Sequence, residues 1–277
     1  VPDFCKSTHT PDAIVANGGF VDVKGCAIYV SRLPVSARQH CVPPGHTPGV
    51  SPRFSRQNGF TGIMSGLIER TGPNAEEAQP IEDVGDLSRA ADLWGMTPIV
   101  RVGSADYSTI YRTLDMGAMG IVVPHVDTVE DARTVVEATK YAPIGRRGMF
   151  QPRQSFGVVD YLAKANDQSM SIVLIEDIQA VNNLDQILTV DHIDVYHVAP
   201  SDLAQSMGHI GDEEHSDVQR VIDESISKII AAGRTCGTTV SAENVGKFRD
   251  RGVKFFYTSL NGWIMSGGKE FFSALHG

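Results

Sequence analysis

Four apolar runs in this chain each end on a polar or ionisable side chain. They read TPIVR to Arg101, GIVVPH to His125, SIVLIE to Glu176 and VYHVAPSD to Asp202. Each is too short for a buried helix, and helical patterns lie between them. Parallel strands need a long crossover, and strands that are apolar on both faces need cover on both sides. The chain is therefore confined to a parallel α/β architecture. Polar groups at the carboxyl ends of such strands are where a barrel places its active site. Two carboxylates and an arginine in that set can hold a hard divalent cation and an anionic substrate together.

The pattern extends both ways. Strands are expected near 25–30, 62–69, 98–102, 120–123, 171–175, 195–198, 238–240 and 255–258. Helices are expected near 81–94, 107–116, 127–141, 180–188, 217–232, 242–251 and 263–275. Eight strand–helix units at 277 residues predict a single-domain (β/α)8 TIM barrel over 1–277, with residues 1–24 as an N-terminal extension. The rival is an open doubly wound sheet. Neither GxGxxG nor GxxxxGK[ST] occurs, which disfavours its nucleotide-binding versions. Residues 41–59, rich in Pro, Gly and Ser, read as a long loop, and 142–168 as a long irregular segment of the functional kind.

A net charge of -9 argues against a nucleic-acid partner. Cys5, Cys26, Cys41 and Cys236 form no CxxC pair, which favours a reduced, cytoplasmic setting. No apolar stretch reaches the ~18 residues of a membrane span, and the first residues lack the pattern of a signal peptide.

Each candidate has a plain alternative. Glu176 is either half of a rim salt bridge or a metal ligand. Asp202, 26 residues on, supplies the second carboxylate a magnesium site uses. Ser201 or Asp202 is also a helix N-cap candidate, and backbone N–H groups at that turn could hold a substrate carboxylate. Arg101 either bridges an acid such as Asp115 or clamps the oxygen of an enolate. His125 is either a satisfied loop histidine or an acid/base near the metal. Arg146 and Arg147 are a solvated pair or a grip on the distal end of an anionic substrate. No lysine ends a strand, which disfavours a Schiff base. His209 and His215 belong to no compact zinc signature.

Taken together, MTPIVRV, LDMGAMGIVVPHVDTVEDA, KYAPIGRRG, DYLAKANDQ, LIED and VAPSDLAQSMG resemble the HpcH/HpaI aldolase family over residues 80–275. The resemblance implies a (β/α)8 barrel assembled as a homo-oligomer, a hexamer or trimer. It implies a divalent ion on Glu176 and Asp202, Mg²⁺ first and Mn²⁺ or Co²⁺ as alternatives. The pyruvate carboxylate would rest near Ser201 and Asp202, Arg101 would stabilise the enolate oxygen, and Asp115 would support the site across a subunit boundary. The family's strand-two histidine has no counterpart in GLIERTGP, where Arg70 and Thr71 follow Glu69. Leu174 stands where the family commonly has glutamine. Proton transfer then falls to His125, to metal-bound water, or to His40 or His46. The PHV triplet is similar to that of macrophomate synthase, a branch acting on oxaloacetate.

The expected activity is that of a metal-dependent class II aldolase, a carbon–carbon lyase. It cleaves a 4-hydroxy-2-oxo acid to pyruvate and an aldehyde through a metal-bound enolate. Oxaloacetate decarboxylation through the same enolate is the second expectation, and a non-catalytic metabolite-binding barrel the third.

Overall fold

The computed structural model describes residues 81, 83–93, 96–150 and 152–276, with the backbone of two further strands at 27–31 and 63–67. Those two are β1 (Ala27–Ser31) and β2 (Ile63–Leu67). Six more strands form a curled parallel sheet: β3 (Thr97–Arg101), β4 (Gly120–Val123), β5 (Met170–Ile175), β6 (Val195–Val198), β7 (Cys236–Thr239) and β8 (Phe255–Ser259). Each of these pairs in parallel with the next, as Val173 does with Tyr196 and His197 with Gly237. β2 runs beside β3, and β1 runs beside both β2 and β8.

The helices are α1 (Asp83–Leu93), α2 (Tyr107–Asp115), α3 (Val129–Thr139), α4 (Tyr161–Gln168), α5 (Ile178–Asn182), α6 (Leu184–Ile187), α7 (Pro200–Ser206), α8 (Ser216–Ala231), α9 (Val245–Asp250) and α10 (Leu260–His276). Among the described residues, none is long and apolar enough to cross a membrane.

The near-continuous apolar strands follow from burial on both faces. Val100, Ile121, Val123, Val173, Ile175, Tyr196, Val198 and Phe256 face outward and pack against Ile110, Leu114, Val135, Leu203, Ile222 and Ile226 of the helices. Ile99, Val122, Met170, Ile172, Leu174, Val195 and Phe255 face inward as a separate cluster. Removing such a side chain from water contributes about 1.5–3 kcal/mol, so both faces are specified and a one-residue slip of any strand is costly.

Local chemistry fixes where the elements begin. Asp106 caps α2 by accepting the Thr109 hydroxyl and the Thr109 N–H, each at 2.7 Å, which together hold its carboxyl below the usual range. α3 opens on a capping box between Thr128 and Asp131. The single helix expected at 180–188 is two, broken at Asn183, whose side-chain amide donates to the Asp127 carbonyl. The segment expected to be irregular contains a 3-10 turn, Arg153–Ser155, and α4. β7 begins two residues early, at Cys236, a buried free thiol. The N-terminal expectations lie outside the described residues: the extension 1–24, the loop 41–59, Cys5, Cys26 and Cys41, His40 and His46, and Glu69 to Thr71.

Candidate active site

The sheet delivers Arg101, the last residue of β3, and Leu174 of β5 to one cavity of about 250 Å³. His197 on β6, Thr239 on β7 and Tyr257 on β8 also line it, and Ser201 and Asp202 stand where β6 turns into α7.

Glu176 follows β5 directly, and its side chain is 1% exposed. Its Oε1 accepts the His125 N–H at 2.9 Å. Its Oε2 is buried with no hydrogen-bond partner. Burial pushes the carboxyl above its usual range. The His125 N–H, the His125 and Arg101 charges oppose that rise, and the Asp202 charge adds to it. Glu176 and Asp202 therefore feel one another across the mouth of the sheet. A bare oxygen in a dry setting costs about 1–3 kcal/mol, more when charged, unless a ligand meets it. Asp202 lines the cavity, and Glu176, though not among the lining residues, feels its charge; such a carboxylate pair suits a hard divalent cation, which takes oxygen donors and keeps positions for substrate and water. The residues present fit such an ion.

Asp202 lies exposed in the first turn of α7, with Pro200 at the helix start. The capping position belongs to Ala199 and makes no side-chain hydrogen bond, so neither Ser201 nor Asp202 is the N-cap. Ser201 instead donates its hydroxyl to Glu213. Asp202 is thus left for the cavity.

His125 contributes through its backbone. Its φ is 53°, a left-handed conformation unusual outside glycine, and its side chain is 68% exposed. The cost of such a backbone, of order 1–3 kcal/mol, is met where surrounding structure demands it. Here the demand is an N–H aimed at Glu176. The imidazole Nδ1 stands 3.4 Å from the same carboxylate oxygen.

Asp115 is not among the residues around the cavity. It ends α2 and accepts from Arg147 Nη2 at 2.7 Å. Its carboxyl lies above the usual range, because burial outweighs the Arg147 hydrogen bond and charge. The Arg101–Asp115 bridge considered above does not form, since Arg147 holds the aspartate. Arg147 is itself buried, with its guanidinium over the Tyr141 ring at 4.8 Å. Arg146 is exposed and pairs with Glu137. The arginine pair is therefore not a grip on a distal anion: one member is a buried brace and the other a surface pair. Lys140 is likewise structural, with Nζ donating to the Asn166 and Ser169 carbonyls.

His209 and His215, which matched no zinc motif, come together. Their rings stack at 3.7 Å between centroids, with Asp217 close by. His215 Nδ1 already accepts the Asp217 N–H at the start of α8. Stacked imidazoles direct their in-plane lone pairs side by side rather than toward one point.

His197 was missed. VYHV reads as an ordinary strand, yet the alternation that places Tyr196 and Val198 outward turns His197 inward with Val195. It is 4% exposed, and burial drives its pKa down to about 3.

The family described as HpcH/HpaI aldolase/citrate lyase matches residues 74–265. The 2-keto-3-deoxy-L-rhamnonate aldolase of Klebsiella pneumoniae is 41% identical over 161 residues, 57% of this chain and 60% of that protein. The 4-hydroxy-2-oxo-heptane-1,7-dioate aldolase of the same species is 35% identical, over 64% of this chain and 69% of that one. The chain thus spans roughly three-fifths to two-thirds of the length of these curated relatives. A solved HpcH/HpaI aldolase/citrate lyase family protein from Burkholderia cenocepacia superposes with a TM-score of 0.69 at 27% identity, covering 78% of this chain and 86% of that one. Macrophomate synthase shares the fold, with a TM-score of 0.60 at 24% identity, over 70% of this chain and 73% of that one.

Proposed function

Because the chain belongs to the HpcH/HpaI aldolase/citrate lyase family, we propose that it is a divalent-metal-dependent class II aldolase on a (β/α)8 barrel. It cleaves a 4-hydroxy-2-oxo acid to pyruvate and an aldehyde. The observation that carries this reading is Glu176 Oε2, a carboxylate oxygen buried without a partner and electrostatically linked to Asp202.

Glu176 and Asp202 would hold the ion, Mg²⁺ first with Mn²⁺ and Co²⁺ as alternatives. When bound, it would supply Lewis-acid chemistry to the 2-oxo acid. The His125 N–H keeps Glu176 oriented, so the carboxylate need not reorganise when substrate arrives. The first-turn N–H groups of α7, at Ser201 and Asp202, lack helical acceptors and receive the substrate carboxylate. Arg101 enters the cavity from β3 and stabilises negative charge on the enolate oxygen. The His125 imidazole, beside Glu176 and open to water, moves the proton at the substrate's 4-hydroxyl. Asp115 and its Arg147 brace stand away from this cavity and serve a neighbouring copy's site in a homo-oligomer. The setting is cytoplasmic.

One observation favours a second reaction, decarboxylation of oxaloacetate to the same enolate. Of the described histidines, the one lining the cavity is His197, and burial holds it neutral. Decarboxylation needs no base to make the enolate, and so needs less of such a cavity.

Purified protein with Mg²⁺ or Mn²⁺, pyruvate and an aldehyde should form adduct, and EDTA should abolish it. Full turnover in EDTA would refute the metal reading. Faster pyruvate release from oxaloacetate than from any 4-hydroxy-2-oxo acid would select the second reaction.

A further inference from the structure

The buried imidazole of His197 has no role in the mechanism above. It sits in the middle of β6, paired with Leu174 on one side and Gly237 on the other. A Cβ at position 237 would meet His197 Nδ1 at 2.9 Å, so the glycine leaves the room the ring occupies. Phe255 and Tyr257 stand edge-on to the imidazole at 6.0 and 6.3 Å, both at 86°. The ring is therefore fixed between an apolar wall and a gap in the next strand.

Its hydrogen bonding is incomplete. Nδ1 is buried with no partner. Nε2 lies 3.4 Å from Thr239 Oγ1, beyond the usual range of a good hydrogen bond. A neutral imidazole offers one donor and one acceptor, and a threonine hydroxyl offers one donor and two lone pairs. Both groups line the cavity that holds Arg101, Ser201 and Asp202. Val122, Ile172, Leu174 and Phe255 around them are apolar. An underused polar pair in an apolar recess is costly for the empty protein, and the cost is recovered when a matching group arrives.

What would match follows from charge. Arg101 serves anionic oxygen. His197 and Thr239 carry no charge at working pH, so they suit an oxygen that is itself uncharged and can both give and take a hydrogen bond. The geometry points to His197 and Thr239 as a subsite that hydrogen-bonds an alcohol hydroxyl of the substrate's aldehyde-derived portion. It makes the enzyme selective for hydroxyaldehyde partners over unsubstituted ones. This rests on the aldolase reading and names the substrate class within it.

The test compares glycolaldehyde with acetaldehyde as acceptors for pyruvate, in the full-length protein with Mn²⁺. Wild type should prefer glycolaldehyde by about tenfold in kcat/KM, the worth of one good neutral hydrogen bond. His197→Phe should bring the ratio to near one, mainly by raising KM for glycolaldehyde. Thr239→Val should lower the ratio in the same direction, and His197→Asn, which keeps a donor and an acceptor, should restore part of it. General damage to the fold lowers both rates and leaves their ratio alone, so the ratio reads the subsite. A wild-type ratio near one, or a preference that survives both His197→Phe and Thr239→Val, overturns the proposal while leaving the aldolase reading intact. Wild type that forms no adduct with either aldehyde overturns both.

Discussion

Acidification should weaken this protein through one interior histidine, and the size of the effect follows from its surroundings. His197 is enclosed by Leu174, Gly237, Phe255 and Tyr257, with no carboxylate among the neighbours described above. Burial therefore acts on its charged form without compensation and draws the pKa to about 3. In the unfolded chain the same side chain titrates near pH 6.5. Between those two values the unfolded state binds the extra proton, so stability rises with pH across the interval and is lost as pH falls. Moving from about pH 7.5 to about pH 5.5 takes the unfolded histidine from mostly neutral to mostly charged. At ~1.4 kcal/mol per unit below the unfolded pKa, the native state loses about 1 to 2 kcal/mol. For a chain of this size that amounts to a few degrees of melting temperature. Urea unfolding of wild type and His197→Phe at both pH values isolates the effect. Glu176 and Asp115 also have displaced pKa values, but they titrate alike in both proteins and cancel in the difference. The wild type should lose about 1 to 2 kcal/mol more than the variant. Equal pH slopes would refute the reasoning, and would mean the ring protonates in place or reaches water.

Two further substitutions probe the site and its frame. Glu176→Gln removes a buried charge with an unpartnered oxygen, so in EDTA its unfolding midpoint should match or exceed that of wild type. The stabilisation that Mn²⁺ gives wild type, about 2.7 kcal/mol at a hundred times its Kd and seen as a rise in melting temperature, should vanish in the variant, and turnover should fall at least about a hundredfold. A variant that melts well below wild type in EDTA would show that Glu176 is a structural partner rather than a waiting ligand. Asp115→Ala strands the guanidinium of Arg147, whose side chain is 2% exposed, and should cost about 3 kcal/mol in urea unfolding. A loss under about 1 kcal/mol would place that pair in effective contact with water.

The parts of this protein that read directly from sequence are those where one local signal dominates. β4 and β6 lie where Gly120–Val123 and Val195–Val198 were expected, because unbroken apolar runs bounded by turn residues have few alternatives. α2 and α3 begin where an apolar period follows a polar residue, with Asp106 and Thr128 as the caps and Asp131 closing the box on α3. The break between α5 and α6 was not legible, since Asn183 interrupts the helix through a contact with Asp127, 56 residues away. Cys236 and Gly237 hid the start of β7, because neither favours a strand and both owe their place to neighbours. Glu176 was legible as the carboxylate directly after β5, and Asp202 as the one in the turn after β6. Arg147 was not, since nothing in GRRG says that one arginine turns inward onto Asp115 and the other outward onto Glu137. His197 had a readable trace, the inward phase of β6, which an apolar-run reading passes over.

At position 125 the group that anchors Glu176 belongs to the peptide, not to the side chain. The left-handed turn hands Glu176 an amide proton that every amino acid except proline possesses. Natural variation can therefore exchange the side chain there while the carboxylate keeps its anchor, and Asn or Gly would adopt the turn as readily as His. A ring that reaches open water can change its proton chemistry without dismantling the carboxylate it stands beside.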